Sequence, residues 1–120
     1  MKNRLVPVGF TQELHLWMRA ADVLVTKPGP AAILEASAMR LPLVLDHWQT
    51  MPQEKPNAAF TQAQGLGLVV SRREGMFDAV ASLARSPARL AHIRERMARF
   101  GPRDAAGPLL KALGTAMKHP

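Results

Sequence analysis

Four stretches of the sequence carry residues suited to polar chemistry. The first is Gly9-Phe10-Thr11, where an aromatic ring follows a glycine. A ring there can stack on a flat base. It serves equally as a hydrophobic staple onto a following helix, and position alone does not separate the two. The second is Thr26-Lys27-Pro28-Gly29-Pro30-Ala31-Ala32. Gly29 lets backbone approach a ligand closely, and Pro30, Ala31 and Ala32 are small enough to leave that backbone accessible. A helix starting here offers free N–H groups and partial positive charge to an anion, with Lys27 adding a full charge nearby. Taken alone, an ordinary tight turn is the simpler reading, because the segment matches neither the P-loop nor the dinucleotide-binding pattern.

Glu35 falls about one turn into that helix, where a carboxylate can accept two hydrogen bonds from neighbouring hydroxyls, as on a ribose. By position alone, an acid complementing the helix dipole explains it as well or better. The fourth stretch runs from His47 to Asn57 and groups Gln53, Glu54 and Asn57. That density of donors and acceptors suits a hydroxyl-rich ligand, against the alternative of a solvated loop.

Other chemistries find little support. Without cysteine there is no disulfide, thiolate metal site or thiol nucleophile. His15, His92 and His119 have no metal-ligand spacing, and Ser37, the one serine near a histidine in sequence, lies in helix-forming sequence, so no hydrolase triad is arguable. No cofactor, metal or catalytic residue is assigned. The formal charge of +7 favours an anionic partner. Nucleic acid is the obvious rival, but aromatic content is only 5%, with no tyrosine, and the arginines between Arg85 and Arg103 read as the wet face of a helix. Leu90, Ile93, Met97 and Phe100 form that helix's apolar stripe. A membrane-surface role for it is the minority reading. No secretory signal or spanning segment is recognisable, so the expected location is cytoplasmic.

The elements that must position these residues alternate. Strands are expected at residues 5–8, 22–26, 41–45 and 65–70. Helices are expected at 11–20, with Thr11 as N-cap, and at 31–40, 57–64, 74–83, 87–100 and 105–117. The strand at 22–26 is apolar on both faces, which suits the interior of a parallel sheet. The fold class is therefore α/β, a Rossmann-like parallel sheet with flanking helices. Four strands are few for a doubly wound sheet, so the domain is expected to be incomplete or completed by another chain.

The order and spacing of these pieces resemble one family. Gly9-Phe10, Ala21-Asp22-Val23-Leu24-Val25-Thr26-Lys27-Pro28-Gly29, Glu35-Ala36, Leu41-Pro42-Leu43-Val44-Leu45, Gln53-Glu54-Lys55 and Asn57-Ala58 together look like the donor domain of lipid-sugar GT-B glycosyltransferases. The pattern is closest to monogalactosyldiacylglycerol synthases and bacterial diacylglycerol glucosyltransferases, with T-K-x-G-(P/G) at the turn and G-Q-E-x-x-N in the later loop. The resemblance runs from about Val6 to Val70. It implies that Phe10 and Thr11 contact uracil and that Gly29, Pro30, Ala31 and Ala32 cradle a diphosphate with Lys27 nearby. Glu35 then holds the ribose, Gln53 and Glu54 read the sugar, and Asn57 supports their loop. Two departures stand out: Ala31-Ala32 offers no hydroxyl where the family often has threonine, and Pro52 replaces the glycine before Gln-Glu.

On that resemblance, residues 1–120 are expected to form the C-terminal, UDP-sugar-binding portion of an inverting hexosyltransferase acting on a lipid. The N-terminal acceptor domain is expected elsewhere, as a missing domain or a partner chain, and the chain is expected to be inactive alone. Peripheral membrane contact fits a lipid acceptor. The alternative is a non-catalytic nucleotide-binding or interaction module that kept the fold and lost the chemistry.

Overall fold

The computed structural model describes residues 5–48 and 51–99. Three short parallel strands form its sheet: β1 (Leu24–Thr26), β2 (Leu43–Asp46) and β3 (Gly67–Val70), in spatial order β1-β2-β3. Leu24 stands opposite Leu43, and Leu43 opposite Gly67, so the strands run in register with their carboxyl ends on one side. Helix α1 (Leu14–Ala20) precedes the sheet, while α2 (Pro30–Ala38) and α3 (Lys55–Gln64) make the two crossovers. The chain then continues through α4 (Met76–Ala84) and α5 (Pro87–Ala98). This is the α/β arrangement expected from the alternating periodicity.

β2 is central, and Leu43, Val44 and Leu45 are all fully buried. Three consecutive buried apolar residues are the signature of a strand covered on both faces. At about 1.5–3 kcal/mol per fully buried large apolar side chain, this strand anchors the unit. Ile33 and Ala36 from α2, Leu83 from α4, and Leu90, Ile93 and Met97 from α5 complete the core. The stripe read from the sequence is thus core over Leu90, Ile93 and Met97, while Phe100 and the expected helix at 105–117 lie outside the described residues.

Both crossover helices end in the same way. Beyond α2, the Arg40 N–H donates to Ser37 O at 3.1 Å and the Leu41 N–H to Ala36 O at 2.8 Å. Beyond α3, the Gly65 N–H donates to Gln62 O at 3.2 Å and the Leu66 N–H to Thr61 O at 3.0 Å. These paired bonds form the Schellman motif, which requires a left-handed residue after the helix. Arg40 (φ 56°) and Gly65 (φ 70°) fill that role. The next residues, Leu41 and Leu66, drop into the core and lead into β2 and β3.

The expected first strand is not formed. Residues 5–8 are exposed and adopt no strand, because no described segment pairs with them. The expected cap also shifts: α1 begins at Leu14, and the Thr11 hydroxyl instead accepts the Glu13 N–H at 3.0 Å ahead of the helix. Elsewhere the periodicity located the elements to within a few residues. Short 3₁₀ turns at Pro52–Glu54 and Arg73–Gly75 precede α3 and α4.

Candidate functional site

The carboxyl ends of β1 and β2 feed the two segments richest in polar groups, and ligands of open α/β sheets bind at this edge. After Thr26 the chain turns through Lys27 and buried Pro28, then starts α2 with Gly29 as N-cap and Pro30 at its first position. Pro30 presets the helical φ and has no N–H to leave unpaired. No side chain caps this end. The amide groups of Ala31 and Ala32 therefore lack an intrahelical acceptor, as first-turn amides must. A Cβ added at Gly29 would meet nothing within 4 Å, so the backbone is open to approach from that side. Lys27 and Ala31 are exposed, and Ala32 is half-buried.

The second segment follows β2. Its 3₁₀ turn is stabilised by its own residues: the Glu54 N–H donates to Met51 O at 2.9 Å, while Glu54 Oε1 accepts the Met51 N–H at 3.1 Å. Gln53 is exposed, and its amide nitrogen contacts Met51 Sδ at 3.5 Å. The turn runs directly into α3, where Pro56 is tolerated in the first turn.

Asn57 joins the two segments. It is 2% exposed, and its Nδ2 donates to the Pro28 carbonyl at 2.9 Å across 29 residues of sequence. Its backbone carbonyl accepts the Thr61 hydroxyl at 3.0 Å, so the side chain projects from a regular helical turn. Oδ1 of Asn57 is buried and has no hydrogen-bond partner among the described residues. Buried polar atoms are ordinarily satisfied, so an orphan of this kind requires an explanation.

A cavity of about 330 Å³ opens between the segments, lined by Pro30, Met51, Gln53, Glu54 and Asn57. Four of the residues singled out from the sequence are thereby gathered around one hollow: Pro30, Gln53, Glu54 and Asn57. Lys27, Gly29, Ala31 and Ala32 belong to the adjoining turn and helix start without lining the cavity. Glu35 is exposed on α2, one turn beyond. Phe10 is 98% exposed and Thr11 half-buried, and neither lines the hollow. Sequence reasoning did not anticipate Met51 as a wall or the Pro28 carbonyl as the acceptor for Asn57. Met51 carried no signal, being one apolar residue in a polar loop. Pro28 carried one: a proline directly before the turn glycine presents a carbonyl that the strand no longer uses.

A second hollow, of about 310 Å³, lies between β3 and α5, lined by Gly67, Leu68, Ala88, Arg89, His92 and Ile93. It holds no cluster of polar groups comparable to the first. Among the described residues no group of three or more histidine, aspartate or glutamate side chains is arranged to hold a metal ion.

A parallel α/β unit with an open helix start and a polar turn sharing one hollow at the carboxyl edge is the architecture of an incomplete Rossmann-like domain. Comparison with known proteins is more specific. The chain is 32% identical over 96 residues to the processive diacylglycerol beta-glucosyltransferase of Bacillus licheniformis, a match covering 79% of this chain and 24% of that protein. The Staphylococcus carnosus protein of the same description is 33% identical over 91 residues, covering 75% and 23%. That of Bacillus subtilis is 34% identical over 82 residues, covering 68% and 21%. The chain spans about a quarter of the length of these curated relatives. No protein-family model matches it. The resemblance read from the sequence is borne out: the chain is a glycolipid glycosyltransferase-like domain.

Proposed function

We propose that this chain is the nucleotide-sugar-binding part of a GT-B glycosyltransferase that transfers a hexose from a UDP-sugar to a lipid acceptor, with inversion. The observation that carries the reading is the joining of the Pro28–Pro30 turn to the Gln53–Asn57 segment through the Asn57 side chain, over one hollow. In this reading the diphosphate lies on the start of α2. The free amides of Ala31 and Ala32 and the charge of Lys27 stabilise negative charge as the diphosphate departs. Glu35, exposed one turn further along α2, accepts hydrogen bonds from the ribose hydroxyls. Gln53 and Glu54 face the sugar in the hollow. The buried Asn57 Oδ1 is an acceptor for a donor supplied by the ligand or by water.

The chain spans about a quarter of the length of its curated relatives, so the acceptor site, and with it the acid–base group, is assigned to further polypeptide, as an additional domain or a partner chain. Alone, the chain binds donor without transferring sugar. A lipid acceptor places the work at a membrane surface from the cytoplasmic side. Contact with that surface is peripheral in this reading; among the described residues no helix is long and apolar enough to cross a membrane.

Calorimetric titration with UDP and UDP-glucose tests the reading. Binding is expected, weakened roughly 10- to 100-fold by Glu35→Ala through loss of charge-assisted hydrogen bonds. A folded chain that binds neither ligand would instead be a non-catalytic module of the same fold, a reading favoured by the missing hydroxyl at Ala31-Ala32.

A further inference from the structure

The hollow between Pro30 and Asn57 sits where β1 and β2 end. The second hollow, of about 310 Å³, lies toward the opposite edge of the sheet: Gly67 begins β3 and stands opposite Leu43, the first residue of β2. The two share no lining residue. Leu68, Ala88 and Ile93 give the second hollow aliphatic walls, and Gly67 contributes backbone alone. No aromatic ring lines it, so nothing there stacks on a flat ligand. Its volume is near the lower end of the ~300–1,000 Å³ of small-ligand pockets, which suits one slender chain.

Two polar side chains complete the lining, Arg89 and His92. They are three residues apart on α5 and therefore share a face of the helix. Both are exposed, so they stand at the mouth rather than on the floor. Arg89 Nη1 donates to the neutral Ser82 hydroxyl at 3.2 Å. Among the described residues no carboxylate pairs with Arg89, and none lines the hollow. An aliphatic pocket with an unneutralised guanidinium at its mouth is complementary to an amphiphile with an anionic head. The planar guanidinium fork matches a carboxylate in particular, by two parallel hydrogen bonds.

We propose that this hollow binds a single-chain fatty acid. The hydrocarbon chain lies between Leu68 of β3 and Ile93 of α5, and the carboxylate is held by Arg89 with an N–H of the His92 ring beside it. The occupant ties the edge strand to α5 without touching the residues assigned to the donor, so the site stands or falls independently of the proposed function.

Calorimetric titration of the chain with hexanoate and octanoate, both below aggregation, tests the site. Octanol and acetate probe the chain and the head separately. Each methylene taken from water is worth roughly a fourfold gain in affinity, so octanoate is expected to bind about 10- to 20-fold tighter than hexanoate. Octanol is expected to bind at least about tenfold more weakly than octanoate, for want of the charge-assisted bonds. Acetate is expected not to bind. Arg89→Gln is expected to reduce octanoate to the affinity of octanol and to leave octanol unchanged. Ala88→Phe sets a ring into the hollow from an exposed helix position and is expected to abolish binding of both. Amide NMR shifts with octanoate are expected at Gly67, Leu68 and Ala88. Equal affinity for octanoate and octanol, or parent-like octanoate binding by Arg89→Gln, overturns the proposal, and Arg89→Gln decides alone if Ala88→Phe melts early. Shifts spread over the chain but missing at Gly67 and Leu68 also overturn it. So does sedimentation with phosphatidylglycerol vesicles by a chain that ignores octanoate, since the cations then serve a membrane surface and the hollow stays unused.

Discussion

Asn57 Nδ2 lies 2.9 Å from the Pro28 carbonyl oxygen, and this one bond holds the start of α3 against the turn that opens α2. The turn contains a glycine with open space around it, and the loop before α3 is stabilised mainly by bonds between Met51 and Glu54. A buried side chain contributed by one crossover to the backbone of the other sets the width of the hollow between them.

Replacing Asn57 with alanine removes the donor and leaves the buried Pro28 carbonyl unsatisfied. A loss of about 1–3 kcal/mol is expected, read from the urea midpoint at constant m-value. Asn57→Asp keeps the shape but sets a carboxylate against a carbonyl, so it is expected to be no better than alanine. A stability equal to the parent's in either variant would mean that the two segments are held by something else.

Arg40 and Gly65 occupy equivalent positions after α2 and α3, yet only one is glycine. A non-glycine residue in the left-handed region costs roughly 1–2 kcal/mol from the contact between Cβ and the neighbouring carbonyl. Arg40→Gly is therefore expected to stabilise the chain by about 0.5–1 kcal/mol, after the greater freedom of glycine in the unfolded state is subtracted. Gly65→Ala is expected to destabilise it by a similar amount. Paired thermal melts check both signs, and a fall in melting temperature for Arg40→Gly would contradict the account.

Gly67 is required for a different reason. It stands opposite Leu43, and a Cβ there would come within 2.6 Å of the Leu43 carbonyl carbon, backbone that cannot swing away. Gly67→Ala forces β3 from β2 or breaks the pairing. A loss of about 3 kcal/mol is expected, at the upper end of the range for overpacking. Chemical denaturation reads it directly, and a change under 1 kcal/mol would show that β3 shifts without cost.

Much of this was legible from the sequence because it is local. Leu43-Val44-Leu45 could only be a strand buried on both sides, and Pro28-Gly29-Pro30 could only be a break followed by a helix start. The grouping of Gln53, Glu54 and Asn57 beside that start followed from parallel strands placing their exits on one edge. What the pattern could not supply is pairing at a distance. Residues 5–8 have the composition of a strand, but a strand exists only where another edge accepts it, and composition carries no information about the acceptor. Arg40 shows the same limit at smaller scale. Nothing in its side chain announces a left-handed backbone; the two bonds that close α2 impose it.

Arg96 is the instructive case among the arginines, which the sequence presents as one wet face. It is half-buried, its Nε donates to the Gln64 carbonyl at 3.0 Å, and its stem lies 3.5 Å from the position a Cβ would take at Gly65. It thus caps the last turn of α3 from α5 and covers the reversal into β3 with methylene groups. Arg94 differs: among the described residues it pairs with Asp22, at 3.8 Å, with both side chains substantially exposed. Arg96→Ala is expected to lower stability by about 1–2 kcal/mol, through one charged hydrogen bond and the packing of the stem. Arg96→Lys should recover only part of this, because an ammonium cannot reproduce the planar Nε–H. Asp22→Asn is expected to change stability by less than about 0.5 kcal/mol, as for other exposed pairs. Urea titrations of the three variants in low and high salt separate the cases. A salt-sensitive loss at Arg96 as small as that at Asp22 would return Arg96 to the solvated face and leave the end of α3 without its cap.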